Sequence, residues 1–168
     1  MMRIVQAVCL AIVTSLLVSA CDNHSSQSGK LEAALKGAEK AYYKGDFDSA
    51  ARLFQALAER GNVQAEFFLG DLYLNGSGVP KDYAQALKWS REAADHGNTS
   101  AQFTLGKMSE LGLGVPQDYV QAYVWYSLSA SSGDEQATRK RDQMRLKMNG
   151  RQLDEAERRT KAWLEAHR

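Results

Sequence analysis

After residue 30, apolar residues recur along the chain at steps of three and four positions, which is the spacing of one face of an α-helix. The positions are Leu31, Ala34, Leu35, Ala38, Ala41 and Tyr42 in one segment and Phe47, Ala50, Leu53, Phe54, Leu57 and Ala58 in the next. Gly45 interrupts the first segment and Gly61 ends the second, with Asp46 as the expected N-cap of the second helix. The pattern therefore predicts a pair of amphipathic helices.

A longer repeat follows. The sequence from Gln64 to Gln136 contains the same block of residues twice, and the second copy starts 36 positions after the first. The matching positions are Ala65/Ala101, Leu69/Leu105, Gly70/Gly106, Gly76/Gly112, Gly78/Gly114, Val79/Val115, Pro80/Pro116, Asp82/Asp118, Tyr83/Tyr119, Ala86/Ala122, Trp89/Trp125, Ala94/Ala130 and Gly97/Gly133. A further displacement aligns Asp82 with Asp46, so the opening pair is an earlier copy with a shorter loop. Self-similarity at this period is typical of a stacked helical array. The sequence therefore predicts an all-α fold.

Glycines recur at the predicted helix ends. Gly61-Asn62, Gly97-Asn98 and Gly133-Asp134 are spaced by 36 residues. Glycine tolerates the left-handed conformation that closes one helix, and the residue after it can cap the next helix. These dipeptides are the predicted turns between successive helix pairs.

Two other glycines, Gly70 and Gly106, lie in the middle of predicted helices. Glycine there costs about 1 kcal/mol relative to alanine. We expect close approach of the paired helix to compensate this cost, with Ala86 and Ala122 offering the matching small surfaces.

The start of the chain has the pattern of a targeting segment. Arg3 supplies a positive charge, Ile4–Val18 is largely apolar, and the small residues Ser19-Ala20 precede Cys21. The apolar run is shorter than the roughly 20 residues that a bilayer-spanning helix needs, so it is predicted to be a signal peptide.

The stretch Leu17–Cys21 also resembles the lipobox of bacterial lipoproteins. In that family the peptide is cleaved before the cysteine, which then carries the lipid. The resemblance implies a signal peptide over 1–20 and a lipidated Cys21. The small polar residues that follow show no apolar period, so a polar tether is predicted over 21–29. The lipobox resemblance also implies a location in the periplasm, anchored to the inner or outer membrane of a bacterium. An ordinary secretory peptide with an incidental cysteine is the alternative.

The remaining reactive residues give no catalytic pattern. Cleavage would remove Cys9 and acylation would use Cys21, so no thiol remains for a disulfide, a metal site or a nucleophile. The histidines, His24, His96 and His167, show neither a triad arrangement nor metal-ligand spacing. We therefore predict no enzymatic activity, no metal, no cofactor and no small-molecule substrate.

The charge balance gives no reason to expect nucleic acid as a partner. The chain has 21 lysine and arginine residues against 20 acidic ones. The basic residues are enriched from Asp134 to the end, where ten Lys/Arg face seven Asp/Glu, without aromatic residues interleaved for base stacking. The polar outer face of a terminal repeat explains this enrichment, and an acidic partner is the alternative.

The pattern of Ala65–Gly97, from its Leu-Gly pair through Gly-x-Gly-Val-Pro-x-Asp-Tyr to its tryptophan, resembles the Sel-1-like repeat, a branch of the tetratricopeptide class. The copy at Ala101–Gly133 departs from it at Ser109 and Ser129. The opening unit, Leu31–Gly61, is more similar to a plain tetratricopeptide hairpin.

This resemblance implies a right-handed α-solenoid of antiparallel helix pairs, with about eight helices after the signal peptide. The expected units are a tetratricopeptide-like pair over 30–62, Sel-1-like repeats over 63–98 and 99–133, and a capping pair over 134–168. The family implies that the concave side holds a protein or peptide.

In proteins of the tetratricopeptide type, the first helix of each pair lines the groove. Carried over position by position, the resemblance implies these protein-binding residues: Glu39, Tyr42, Tyr43, Phe67, Asp71, Asn75, Phe103, Lys107 and Glu110. Interhelix packing is the alternative for Phe67 and Phe103, and solvated surface is the alternative for Asp71 and Lys107.

The predicted function is that of a non-catalytic adaptor or scaffold that binds another protein or peptide in the cell envelope. A periplasmic immunity protein that inhibits a secreted phospholipase-type toxin is the alternative. A third hypothesis is β-lactam binding or hydrolysis, which is associated with cysteine-rich members of the family. Those members carry a pair of cysteines in each repeat, which this chain lacks.

Overall fold

A computed structural model describes residues 27–167, and over that range the chain forms eight α-helices and no strand. The helices are α1 over 27–43, α2 Phe47–Ala58, α3 Val63–Asn75, α4 Tyr83–Asp95, α5 Thr99–Leu111, α6 Tyr119–Ala130, α7 Glu135–Arg145 and α8 Gly150–Ala166. The prediction of an all-α helical repeat solenoid is confirmed. The predicted signal peptide and Cys21 lie outside the described residues.

The predicted turns form as expected: a left-handed glycine follows the end of one helix, and a side-chain cap begins the next. Asn62 and Asn98 each accept a hydrogen bond at 2.9 Å from the backbone nitrogen three residues later. Gly61, Gly97 and Gly133 have φ angles of +74°, +82° and +90°, which only glycine adopts without strain. The turns between successive pairs are therefore set by local sequence.

The core runs through the stack between helix pairs. One buried cluster centres on Phe54, Leu69 and Leu72, and the rings of Phe54 and Phe68 stack with their centroids 4.7 Å apart. A second cluster extends from α4 to α8 and includes Tyr126 and other fully or nearly fully buried side chains, among them Leu105, Leu128 and Met144. Apolar side chains are thus buried both within the helix pairs and between neighbouring pairs, as expected of a repeat array.

The helices of a pair approach closely at the mid-helix glycines, as predicted. A Cβ atom on Gly70 would lie 2.8 Å from the Ser90 hydroxyl oxygen, and one on Gly106 would lie 2.6 Å from the Tyr126 ring. The residues nearest to the two glycines are thus Ser90 and Tyr126. Each lies one helical turn beyond the alanine that the sequence analysis expected at the contact, Ala86 or Ala122. The glycines make room for these larger side chains.

The Gly-x-Gly-Val-Pro loop holds successive pairs in register. A Cβ on Gly78 would lie 2.2 Å from the carbonyl carbon of Phe47, and one on Gly114 would lie 2.8 Å from Cβ of Tyr83. Phe47 and Tyr83 are the first residues of α2 and α4. Each loop therefore packs on the start of the second helix of the preceding pair.

The last pair, α7 and α8, packs against α6 and buries few of its own residues. Ala137 and Met144 of α7 and Ala156 of α8 are fully buried, whereas most of the other side chains are exposed. Within residues 27–167, none of the helices has the length and apolar content that crossing a bilayer requires.

Candidate interaction surface

The predicted binding residues lie on or beside one side of the first helix of each pair. On α5, Leu105 and Met108 are buried, whereas Phe103, Lys107 and Leu111 on the other side of the helix are half-buried or exposed. Helices α1, α3 and α5 end at residues 43, 75 and 111, so their positions can be compared by counting back from these ends.

We call this side the A-helix surface, and none of its sixteen positions is buried. In repeat register these positions are Glu32, Leu35, Glu39 and Tyr43 on α1; Gln64, Phe67, Asp71 and Asn75 on α3; Ser100, Phe103, Lys107 and Leu111 on α5; and Gln136, Arg139, Gln143 and Lys147 on or just after α7. Seven of the nine predicted binding residues belong to it, and Tyr42 and Glu110 lie next to it.

At the α1 end, the structure brings three predicted residues together. The Tyr42 hydroxyl donates a hydrogen bond to Oδ2 of Asp71 at 2.6 Å, and the Asn75 amide donates to Oδ1 at 2.9 Å. Burial, together with the hydrogen bond to the Asp71 carboxylate, raises the pKa of Tyr42, so its hydroxyl remains a donor. This contact joins α1 to α3.

Tyr43 is the most exposed aromatic residue of the A-helix surface, with 75 % of its area accessible. Its ring meets that of Tyr42 edge-on at 5.5 Å, so the side chain is supported although it is open to solvent. Glu39, one turn earlier on α1, is half-buried.

The two phenylalanines are half-buried, so part of each ring packs inside and part remains accessible. The Phe67 ring lies 5.2 Å from that of Phe68, and the Phe103 ring lies 5.2 Å from that of Tyr126. Phe67 packs against both large core clusters and Phe103 against one of them, so interhelix packing, the alternative interpretation, accounts for the buried part of each ring and leaves the rest accessible.

Glu110 was predicted to bind a partner, but it is buried, with 8 % of its area exposed. It accepts hydrogen bonds from the Tyr126 hydroxyl at 2.8 Å and from Nζ of Lys140 at 3.0 Å, and Nζ of Lys147 lies 3.9 Å away. A partner would have to displace these groups to reach the carboxylate. Glu110 instead joins α5 to α7, and we leave it out of the proposed contact surface.

The surroundings of Glu110 act on its pKa in opposite directions. Burial favours the neutral acid, but the hydrogen bonds from Tyr126 and Lys140 and the charges of Lys140 and Lys147 outweigh it. The pKa of Glu110 is therefore below its ordinary value of 4.5. Burial and the bond to Glu110 also raise the pKa of Tyr126.

Two exposed leucines near this end of the surface were missed by the sequence prediction. Leu111 is 54 % exposed and Leu146 is 87 % exposed. Leu111 directly follows Glu110 and Leu146 directly precedes Lys147, so they lie at the ends of α5 and α7, two helices that the Glu110–Lys147 contact brings together. The 36-residue period would have revealed both, since Leu146 occupies the position of Glu110 in the next unit and Leu111 that of Asn75.

The A-helix surface is continuous along the stack. Tyr42 and Asp71 join α1 to α3, α3 and α5 contact each other directly, and Glu110 and Lys140 join α5 to α7. Such a surface is preorganised, so a partner would not have to bear the cost of ordering it.

The geometry offers little for catalysis. The His96 ring lies 3.4 Å from the buried Glu66 carboxylate, and the His167 ring nitrogen lies 2.8 Å from the Trp163 carbonyl oxygen. Neither ring is paired with a hydroxyl or thiol in the part of the chain that the structure describes. Over the same residues, no three potential metal ligands come together.

Fold and surface together define a helical-repeat protein with an extended face open to solvent. The sequence profile of the Sel1 repeat matches residues 33–62, 63–98 and 99–134, and the chain belongs to the Sel1 repeat family. The profile includes the first unit, whose sequence more closely resembled a plain tetratricopeptide hairpin.

Solved structures of the same class are similar to this chain. A protective antigen present in uropathogenic Escherichia coli strains, which displays an SLR fold, is 32% identical with a TM-score of 0.77 over 84% of this chain. A Sel1 repeat protein from Oxalobacter formigenes is 32% identical with a TM-score of 0.53 over 54% of this chain. Cysteine rich protein B of Helicobacter pylori, at 22% identity and a TM-score of 0.51, covers 65% of this chain and shares the fold.

These proteins differ from this chain in length. The alignments span 31% of the E. coli antigen, 26% of the O. formigenes protein and 92% of the H. pylori protein. No curated protein matches the sequence significantly. Sel1 repeat proteins are generally protein-interaction scaffolds, and the fold is typically non-catalytic.

Proposed function

We propose that this protein is a non-catalytic adaptor that holds one protein partner on its A-helix surface. A lipid on Cys21 anchors it in the periplasm, at the inner or outer membrane of a bacterium. The observation that carries the proposal is the continuity of the surface: Tyr42–Asp71 joins α1 to α3, α3 contacts α5 directly, and Glu110–Lys140 joins α5 to α7.

The side chains on this surface suit a protein partner. Tyr43 is exposed but supported by Tyr42, and Phe67 and Phe103 present one side of each ring. Aromatic side chains contribute large contact areas at low entropic cost, and they are enriched among the residues that dominate interface energetics. Membership of a family that binds other proteins supports the same conclusion.

Site-specific photo-crosslinking in the native envelope tests the surface. A benzophenone amino acid replaces Tyr43 or Lys107 in separate variants, and it replaces Arg52 on the opposite helix α2 in the control. We expect one partner band from Tyr43 and Lys107 that is absent from Arg52, since all three side chains are exposed. A band of equal strength from all three positions, or from Arg52 alone, would contradict the proposal. Recovery of a secreted phospholipase would assign the surface to toxin inhibition.

The anchor is tested separately, since it rests on the sequence of Leu17–Cys21. Cells that express the wild-type chain or Cys21→Ser are labelled with palmitate and fractionated. We expect label and membrane association in the wild type and neither in the variant. An unlabelled wild-type protein would refute lipidation without affecting the proposed binding surface.

A further inference from the structure

The charges of the A-helix surface are separated along the stack. Its acidic members, Glu32, Glu39 and Asp71, all lie on α1 and α3, and its basic members, Lys107, Arg139 and Lys147, all lie on α5 or at α7. Within this surface, α5 and α7 contribute no acidic residue, and α1 and α3 contribute no basic residue. A chain with nearly equal numbers of acidic and basic residues thus presents a face with two opposite poles.

Local ion pairs reduce these charges only in part. Glu32 pairs with Lys36 at 3.1 Å and Arg139 with Glu135 at 3.4 Å, and these pairs are exposed. Exposed pairs of this kind contribute little to stability, so a partner can compete with them. The Asp71 carboxylate accepts hydrogen bonds from Tyr42 and Asn75, which are neutral donors and bring no opposite charge to it.

The basic pole retains an excess of positive charge. Glu110 supplies one carboxylate to two ammonium groups, those of Lys140 at 3.0 Å and Lys147 at 3.9 Å. Lys107 is exposed one turn before Leu111. The exposed Leu111 belongs to the same surface, and the exposed Leu146 directly precedes Lys147, so this pole combines positive charge with two apolar side chains.

We propose that the A-helix surface binds an extended protein segment with two charge blocks. The acidic block, which carries one or two apolar side chains, lies over α5 and α7, and the basic block lies over α1 and α3. This inference rests on the proposed function and specifies the chemistry of the partner. Charge complementarity of this kind sets the orientation and specificity of binding.

The size of the segment follows from helix packing. Neighbouring helix axes are roughly 8–10 Å apart, so the centres of the two poles, two helices apart, are separated by roughly 20 Å. An extended chain covers at most roughly 3.5 Å per residue, so about six residues separate the centres of the blocks.

The test uses two fluorescein-labelled twelve-residue peptides of identical composition. In one, glutamate and leucine occupy one half and lysine and serine the other; in the second, the same residues are shuffled so that the charges alternate. Anisotropy is measured with the purified mature chain at low and high salt. We expect the block peptide to bind at least tenfold more tightly than the shuffled one, with the difference lost at high salt because exposed charges are screened.

Protein variants then locate the site. Lys107→Glu/Lys147→Glu and Leu111→Ser/Leu146→Ser each reduce affinity for the block peptide at least fivefold, whereas Arg52→Glu on α2 and Glu92→Lys on α4 leave it unchanged. Circular dichroism checks that every variant folds. Equal affinity of the wild type for both peptides would overturn the inference. A loss of affinity for the block peptide in the control variants as large as that in the other two variants would overturn it as well.

Self-association is a separate outcome of the same experiments. Two opposite poles on one face can also pair with those of a second copy, so the chain alone is examined by sedimentation. A dimer that Lys107→Glu/Lys147→Glu dissolves would overturn the inference, because the surface would then serve self-association. Failure of the peptide test with successful crosslinking at Tyr43 and Lys107 would refute the two charge blocks and leave the adaptor function intact.

Discussion

Gly106 and Gly37 are both helical glycines, but only Gly106 lies against another helix. A Cβ at Gly106 would lie 2.6 Å from the Tyr126 ring, whereas a Cβ at Gly37 would meet nothing within 4 Å. Gly37→Ala should therefore stabilise the protein by about 0.5–1 kcal/mol through helix propensity and a less flexible unfolded chain. Gly106→Ala should destabilise it by about 1–3 kcal/mol through overpacking.

Urea denaturation of the two glycine variants measures these effects. Changes of opposite sign are expected in the free energy of unfolding. If Gly106→Ala is as stable as the wild type, α5 and α6 do not pack as closely as described.

Glu110 gives a pH-dependent contribution to stability. Because its folded pKa lies below the ordinary value of 4.5, the carboxylate stabilises the fold above that value. This contribution is lost as the pH falls through the folded pKa. Glu110→Gln removes the charge but not the shape, and should cost about 1.5–3 kcal/mol at pH 7, the range for a hydrogen bond to a charged group.

Thermal melts of the wild type and Glu110→Gln from pH 7 to pH 3 check this contribution. The difference in stability should be largest near neutral pH and should shrink as the pH falls below 4.5, because the carboxyl has its ordinary pKa of 4.5 in the unfolded chain and a lower pKa in the fold. A difference that does not depend on pH would mean that the carboxylate is not ionised in the fold.

Glu110 also shows why residue roles were harder to predict than helix positions. Its place in the repeat is next to the A-helix surface, so the sequence analysis predicted that Glu110 contacts a partner. Its actual partners come from Tyr126 and from Lys140, 30 residues later in the atypical last unit. No local pattern indicates that these side chains reach back to α5.

At the scale of helices, the local signals were sufficient. The apolar period and the glycine positions predicted the pairs, because left-handed turns and side-chain caps act within three or four residues. In the sequence, Gly-x-Gly-Val-Pro is only one part of the repeat pattern. Its contacts with Phe47 and Tyr83 belong to the preceding pair, so they become visible only when the pairs are stacked.

The cap of α3 provides a test at this scale. The Asn62 side chain accepts a hydrogen bond from the Ala65 backbone nitrogen at 2.9 Å. Asn62→Ala should cost about 1 kcal/mol, whereas Asn62→Asp keeps the acceptor and should be close to neutral. Chemical denaturation measures both variants. Equal losses in the two would show that the amide group, rather than the cap, stabilises this turn.

At the scale of the molecule, the stack converts a 36-residue repeat into one face. Lys107 is a single exposed cation on α5, but the alignment of the pairs places it in one surface with Arg139 and Lys147, opposite the acids of α1 and α3. The sequence predicted that the first helices line a binding groove. The sequence showed the basic enrichment of the last unit, but the acidic and basic halves of this one face become visible only when positions are compared across all four pairs.

The most direct test of the proposed adaptor function is the dissociation constant for the partner recovered by crosslinking. It is measured with the purified wild-type chain and with a folded Tyr43→Ala/Lys107→Glu variant, with Arg52→Glu as the control. Both altered positions are exposed, so little loss of stability is expected. We predict at least a tenfold weaker affinity for the double variant and no change for the control. Equal affinity of all three proteins would contradict the assignment of the A-helix surface as the binding site.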